Sequence, residues 1–161
     1  MRKTKRILVL LGLGLLTTAC EGPPPVALEP PFDAMRGEWY HFKEVGSPDT
    51  RHYLTDRRYL KVFSDGTTVY ASCYVKIEGA SSVRTSVDPV PSRITELNDS
   101  GFRVRASLPL VDVVGMDFDF KFNAMPYEEN DRWYMKVDDA IWVRRRSTEQ
   151  QPLTDWKCPE T

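Results

Sequence analysis

The chain has 161 residues, with 22 Lys or Arg against 23 Asp or Glu and a formal net charge of −1. A nearly neutral chain has no general electrostatic attraction to nucleic acid, so a DNA- or RNA-binding function is not expected. The length suits a single domain preceded by a short N-terminal segment.

The first twenty residues have the composition of a secretory signal. Four cations lie within residues 2–6, and an almost wholly apolar run follows at residues 7–16. That run is roughly 10 residues long, too short to span a hydrocarbon core, which takes about 20. Small residues then precede a cysteine, in the order Thr17-Thr18-Ala19-Cys20.

This opening resembles a bacterial lipoprotein precursor. The resemblance implies that residues 1–19 are removed and that Cys20 is diacylated on sulfur. Thr17 departs from the family pattern, which usually has Leu three residues before the cysteine; the alternative is an ordinary signal cleaved after Ala19, without lipid. Glu21, in place of the Asp that often marks inner-membrane retention, is compatible with the outer membrane. We therefore expect a lipid-anchored protein of the bacterial cell envelope, at the outer membrane and facing the periplasm.

Removal of residues 1–19 leaves 18 cations against 23 anions, so the mature chain has a net charge of −5. The prolines within residues 23–25 and 30–31 favour an extended polyproline conformation. Residues 20–32 are therefore predicted to be the lipidated cysteine and a tether. Residues 33–161 are predicted to be a single β-rich domain with a C-terminal tail.

Alternation of apolar and polar residues with a period of two dominates this domain, and it predicts antiparallel strands with one buried face. Turn signals such as Ser64-Asp65-Gly66 separate the runs. At most one short helix is predicted, with residues 50–58 as its candidate. About eight strands are predicted, at residues 38–43, 59–63, 68–77, 93–97, 102–108, 116–123, 132–137 and 140–144.

Consecutive hairpins of this kind favour a meandering small barrel or a sandwich. The start Gly37-Glu38-Trp39 loosely resembles lipocalin-like domains, which implies the barrel; the alternative is a curved sheet packed on the helix. Residues 102–108 and 116–122 are predicted to pair in the register that matches both faces at once. That register opposes Arg103 with Asp119, Arg105 with Asp117, Phe102 with Phe120 and Val104 with Phe118.

Two cysteines remain if Cys20 carries lipid. In an oxidising compartment Cys73 and Cys158 are predicted to form a disulfide; the alternative is two free thiols. Zinc is not expected, because neither cysteine has another Cys or a His close by in the sequence.

Catalytic chemistry is not indicated by any motif. No Gly-x-Ser-x-Gly or comparable turn that would present a nucleophile accompanies His41 or His52. The placement of Asp117 and Asp119 on one strand face is explained by charge neutralisation, because arginines lie on the neighbouring strand. We expect no enzymatic activity, no cofactor and no metal.

Three tyrosines, Tyr70, Tyr74 and Tyr134, fall on the polar side of alternating strands, and they form the candidate binding surface. Their other interpretation is as ordinary strand-forming residues. The expected function is that of a protein-interaction module, such as an envelope-assembly factor, an inhibitor or an immunity protein. The alternative is a lipocalin-like carrier of a small apolar ligand. Several residues that are predicted to point inward are bulky and would fill a small barrel, which favours the protein-interaction module. They are Phe118, Phe120, Phe122, Trp133 and Met135.

Overall fold

Eight antiparallel strands follow one another around a closed barrel, which confirms the mainly β fold class. The computed structural model of the chain describes residues 23–106, 115–154 and 156–159. Among these residues, the 3-10 turn Phe32–Met35 precedes the sheet. The strands are β1 (Gly37–Gly46), β2 (His52–Val62), β3 (Thr67–Glu78), β4 (Ser81–Asn98), β5 (Gly101–Ala106), β6 (Met116–Glu129), β7 (Arg132–Val137) and β8 (Ala140–Arg144).

The register predicted for β5 and β6 is confirmed. Arg103 is opposite Asp119 and Phe102 is opposite Phe120, and the other two predicted pairs also match. The Phe102 and Phe120 rings stack with centroids 4.8 Å apart, while Arg103 Nε donates to Asp119 Oδ1 over 2.6 Å. Hydrophobic and charged faces therefore select the same alignment, because a slip of one residue would exchange them.

The helix predicted at residues 50–58 is wrong, since His52–Val62 forms strand β2. This strand pairs with β1 on one side and with β3 on the other. Tyr53, Thr55 and Tyr59 are buried on its outer face. Aromatic and β-branched residues favour strands, and two ladders satisfy every backbone group that a two-turn helix would leave exposed.

One end of the barrel, here called the closed end, is covered by residues 23–36. Val26 N donates to Ile94 O over 2.8 Å and Leu28 N donates to Ser64 O over 3.1 Å. Leu28 is 3% exposed and Met35 is fully buried. The packed domain therefore begins before residue 33, and most of the predicted tether belongs to the barrel.

The interior next to the closed end is filled with side chains. The residues with no exposed surface there include Trp39, Leu60, Ile94, Met135 and Trp142. The Trp39 indole N–H donates to Met35 O over 2.7 Å, so the buried indole has a partner. Close packing of this kind leaves room for a ligand only nearer the other end, here called the mouth.

A second cluster lies outside the barrel, where the C-terminal tail covers β2 and β3. Tyr53, Cys73 and Val75 pack there against Trp156 and Cys158. The two sulfur atoms are 2.09 Å apart and form the predicted disulfide. Both faces of β3 are consequently covered, one by the barrel interior and one by the tail.

Candidate functional site

The three tyrosines of the predicted binding surface do not share a surface. Tyr70 is 5% exposed inside the barrel, so the expectation that it is a surface residue is wrong. Tyr74 lines the mouth. Tyr134 lies on the outside of β7, where its ring is 5.8 Å from that of Tyr127. Cys20, the predicted lipidation site, lies outside the described residues.

Tyr70 is buried because the face of strand β3 that has the more polar residues in the sequence points into the barrel. Cys73 and Val75 occupy the outer face under the tail, which the alternation alone assigns to the core. Tyr70 therefore packs on Phe118 and Phe120, with ring centroids 4.7 and 5.6 Å away. Burial raises the pKa of the Tyr70 hydroxyl.

A cavity of about 710 Å³ opens at the mouth. One wall is polar and belongs to β2 and β3, with Asp56, Arg58 and Tyr74 among its residues. The lining from β4 and β6 is mixed: Val87 and the rings of Phe118 and Phe120 are apolar, while Thr85, Ser86 and two aspartates are polar. Apolar rings beside a few placed polar groups are typical of sites that orient an amphipathic molecule.

An ion pair stands in the polar wall. Arg58 donates from Nε to Asp56 Oδ1 and from Nη2 to Asp56 Oδ2, both over 2.8 Å. Burial alone would lower the pKa of Arg58, but the hydrogen bonds and charge of Asp56 outweigh it and raise that pKa. His41 approaches the same carboxylate, with Nε2 3.8 Å from Asp56 Oδ2. The bidentate geometry holds Arg58 in a fixed orientation beside the cavity.

The ion pair does not follow from the sequence prediction, because a helix at residues 50–58 would not place Asp56 and Arg58 on one face. In a strand, Asp56 and Arg58 are two residues apart and share one face with Leu54 and Leu60. The signal that could have found the pair is this spacing of two in line with apolar residues on the same strand face. Charged residues on an inward face are uncommon and mark a site or an interior ion pair.

A second feature is the edge of β1 away from β2, here called the β1 edge. β1 pairs with β2 along its whole length, but with β8 only at Trp39 and Tyr40. From residue 41 to residue 46, no strand among the described residues pairs on this side. The His41 ring closes the end of the seam, with Nδ1 2.9 Å from Ile141 O.

An outer groove of about 500 Å³ adjoins the β1 edge. Tyr40, Phe42 and Arg57 line it from the barrel, and Pro152 and Trp156 line it from the C-terminal tail. The Phe42 side chain is 58% exposed, and the Arg57 guanidinium lies 5.0 Å from its ring centroid. Exposed apolar rings beside a free strand edge are features of peptide-binding surfaces.

Within residues 23–106, 115–154 and 156–159 there is no group of three or more His, Cys, Asp or Glu placed to hold a metal ion. No helix in those ranges is long and apolar enough to cross a membrane. Comparisons with protein-family models, with curated proteins and with solved structures gave no match for this chain.

Proposed function

We propose that this protein is a lipid-anchored envelope protein that binds an extended segment of a partner protein by strand addition at the β1 edge. The observation that carries the proposal is the six-residue stretch of β1 beyond the β8 seam. Unpaired backbone N–H and C=O groups along such an edge can form a new ladder with an incoming strand.

Side chains beside the edge supply the apolar contacts that a bound segment needs. Phe42 is 58% exposed, Val45 is 56% exposed and, across the seam, Ile141 is 51% exposed. Alternate side chains of an added strand would meet the outer groove, while its backbone would bond to β1. Large exposed apolar side chains that lie together at one edge indicate an interaction site, whereas apolar residues scattered singly over a surface do not.

A second copy of the chain fits this edge poorly. Antiparallel self-pairing centred on the middle of the stretch would place Glu44 opposite Glu44 of the second copy, and like charges directly opposite are destabilising. Lys43 lies next to it, and lysine on an edge strand opposes self-association. The charge pattern therefore favours a different protein as the partner.

The anchor and the edge are at opposite ends of the barrel in this proposal. Val26 is bonded to Ile94 near the closed end, and six residues of chain between Cys20 and Val26 span at most about 20 Å. A lipid on Cys20 would hold the closed end near the bilayer. The far half of β1 and the mouth would then face away from the membrane, where a periplasmic partner is accessible.

The alternative expectation, a carrier of a small apolar ligand, receives less support. The interior next to the closed end is filled, and the space at the mouth has an ion pair in its wall. A wholly apolar ligand would displace water from this ion pair and offer no hydrogen-bond partner to the remaining donors of Arg58.

Two exposed phenylalanines provide a matched test. Phe42 has Arg57 over its ring at 5.0 Å, and Phe63 has Lys61 over its ring at 5.2 Å, but Phe63 is not at the β1 edge. Envelope proteins would be purified on wild-type protein, on Phe42→Ser and on Phe63→Ser. A specific partner should be recovered with the wild type and with Phe63→Ser, and lost with Phe42→Ser. Equal recovery with both variants, or none with the wild type, would contradict the proposal.

A further inference from the structure

The mouth cavity has the chemistry of a ligand site that is separate from the β1 edge. Its volume is about 710 Å³, within the range of pockets that bind small molecules. Its floor is aromatic, because Tyr70 and Phe120 close the cavity where the filled interior begins, with ring centroids 5.6 Å apart. The Phe118 ring is tilted beside them, 4.7 Å from Tyr70.

The polar wall presents more donors than acceptors. Both Asp56 oxygens already accept hydrogen bonds from Arg58. The remaining guanidinium nitrogen, Nη1, has no hydrogen-bond partner among the described residues, and Ser72 and Tyr74 add two hydroxyl groups to the lining. A ligand that offers acceptor oxygens would satisfy these groups.

Charge around the cavity selects against anions. Asp117, Asp119 and Asp138 also line it. Arg105 pairs with Asp117 and Arg103 with Asp119, and Asp56 neutralises the Arg58 cation through two hydrogen bonds. The Asp138 carboxylate remains, so a carboxylate or phosphate would meet net negative charge. A cation would have to contact the guanidinium that forms the polar wall. An uncharged molecule avoids both costs.

We propose that the mouth cavity binds an uncharged sugar ring. A pyranose has hydroxyl oxygens around its edge and a flatter C–H face, which match the polar wall of β2 and β3 and the aromatic rings of Phe118 and Phe120. The C–H face packs on Phe118, and the hydroxyl groups accept hydrogen bonds from Arg58 and exchange them with Tyr74 and Ser72. This site does not depend on the β1 edge, so the failure of either proposal leaves the other standing.

The test measures binding of glucose, N-acetylglucosamine and N,N′-diacetylchitobiose by calorimetry and by NMR titration of the soluble domain, with oleate and benzylamine as comparison probes. At least one sugar should bind saturably. Phe118→Leu, which keeps an apolar side chain without the flat ring, should weaken that binding by about tenfold or more. The double variant Asp56→Asn/Arg58→Gln should do the same, and it leaves no unpaired charge in the wall.

Arg57→Gln is the matched control, because Arg57 is the next residue along β2 but lines the outer groove with Phe42. It should leave sugar binding within about twofold of the wild type, as expected for a surface change away from the site. If the double variant does not fold, Phe118→Leu alone decides. Three results would overturn the proposal: no binding of any of the three sugars, sugar binding unaffected by Phe118→Leu, or tighter binding of oleate or benzylamine than of every sugar.

Discussion

Replacing Phe120 with alanine should destabilise the barrel far more than replacing its neighbour Asp119. Phe120 is 6% exposed and contacts three other rings; its centroid lies 4.8 Å from Phe102 and 6.2 Å from Trp142. The lost transfer free energy of a buried aromatic side chain is about 1.5–3 kcal/mol, and the cavity left in a packed core adds to it. The expected total for Phe120→Ala is about 3–5 kcal/mol.

Asp119 offers the comparison because it is adjacent in sequence and opposite in face. Its side chain is 72% exposed and paired with Arg103, and an exposed ion pair contributes under about 1 kcal/mol. Urea unfolding of wild type, Phe120→Ala and Asp119→Ala, followed by far-UV circular dichroism with the disulfide intact, measures both costs. Equal costs for the two variants would refute the conclusion that the aromatic face dominates this hairpin.

Three further outcomes are expected. Cys20→Ser should move the protein from the detergent phase to the aqueous phase of a detergent extraction; a wild type that is already aqueous would contradict the lipid anchor. Non-reducing mass spectrometry should find Cys73 and Cys158 peptides joined, and reduction should lower the free energy of unfolding by about 4–5 kcal/mol in the chain-entropy model; alkylation of both thiols without reduction would contradict the bridge. Burial raises the pKa of Glu38, but hydrogen bonds from Arg145 and Lys61 outweigh it and hold that pKa below its ordinary value of 4.5. The folded-state pKa is lowered, so this contribution to stability is full above pH 4.5 and is lost as the pH falls through the folded-state value. Glu38→Gln should flatten the pH dependence of stability in that acid range, and an unchanged slope would contradict the assignment.

Strand order and one complete register could be predicted from the sequence because local signals agreed with tertiary packing. In β5 and β6, charged and aromatic residues alternate on both strands, so a single alignment satisfies both faces. The turn at Ser64-Asp65-Gly66 also joins two strands as predicted. Gly66 is needed there because its φ is +79° and a Cβ would lie 2.0 Å from Val26 O.

The candidate sites could not be predicted because they depend on which face of each strand lies inside. β3 carries apolar residues on its outer face, and only the tail and the Cys73–Cys158 bridge explain their burial. The alternation alone consequently predicts the wrong side of the strand for Tyr70. Likewise, the sequence does not show that β8 pairs with β1 only at Val143 and Arg144, and this short seam leaves the far half of β1 as a free edge.

Site-specific photo-crosslinking in cells tests the central claim, strand addition at the β1 edge, most directly. A photoreactive amino acid would replace Val45 at the edge or, as control, Phe63 in the connection between β2 and β3; these residues are 56% and 42% exposed. The account predicts a discrete crosslinked partner protein from position 45, abolished by Phe42→Ser, and none from position 63. The same partner from both positions, or crosslinks at position 45 only to other copies of this chain, would contradict it.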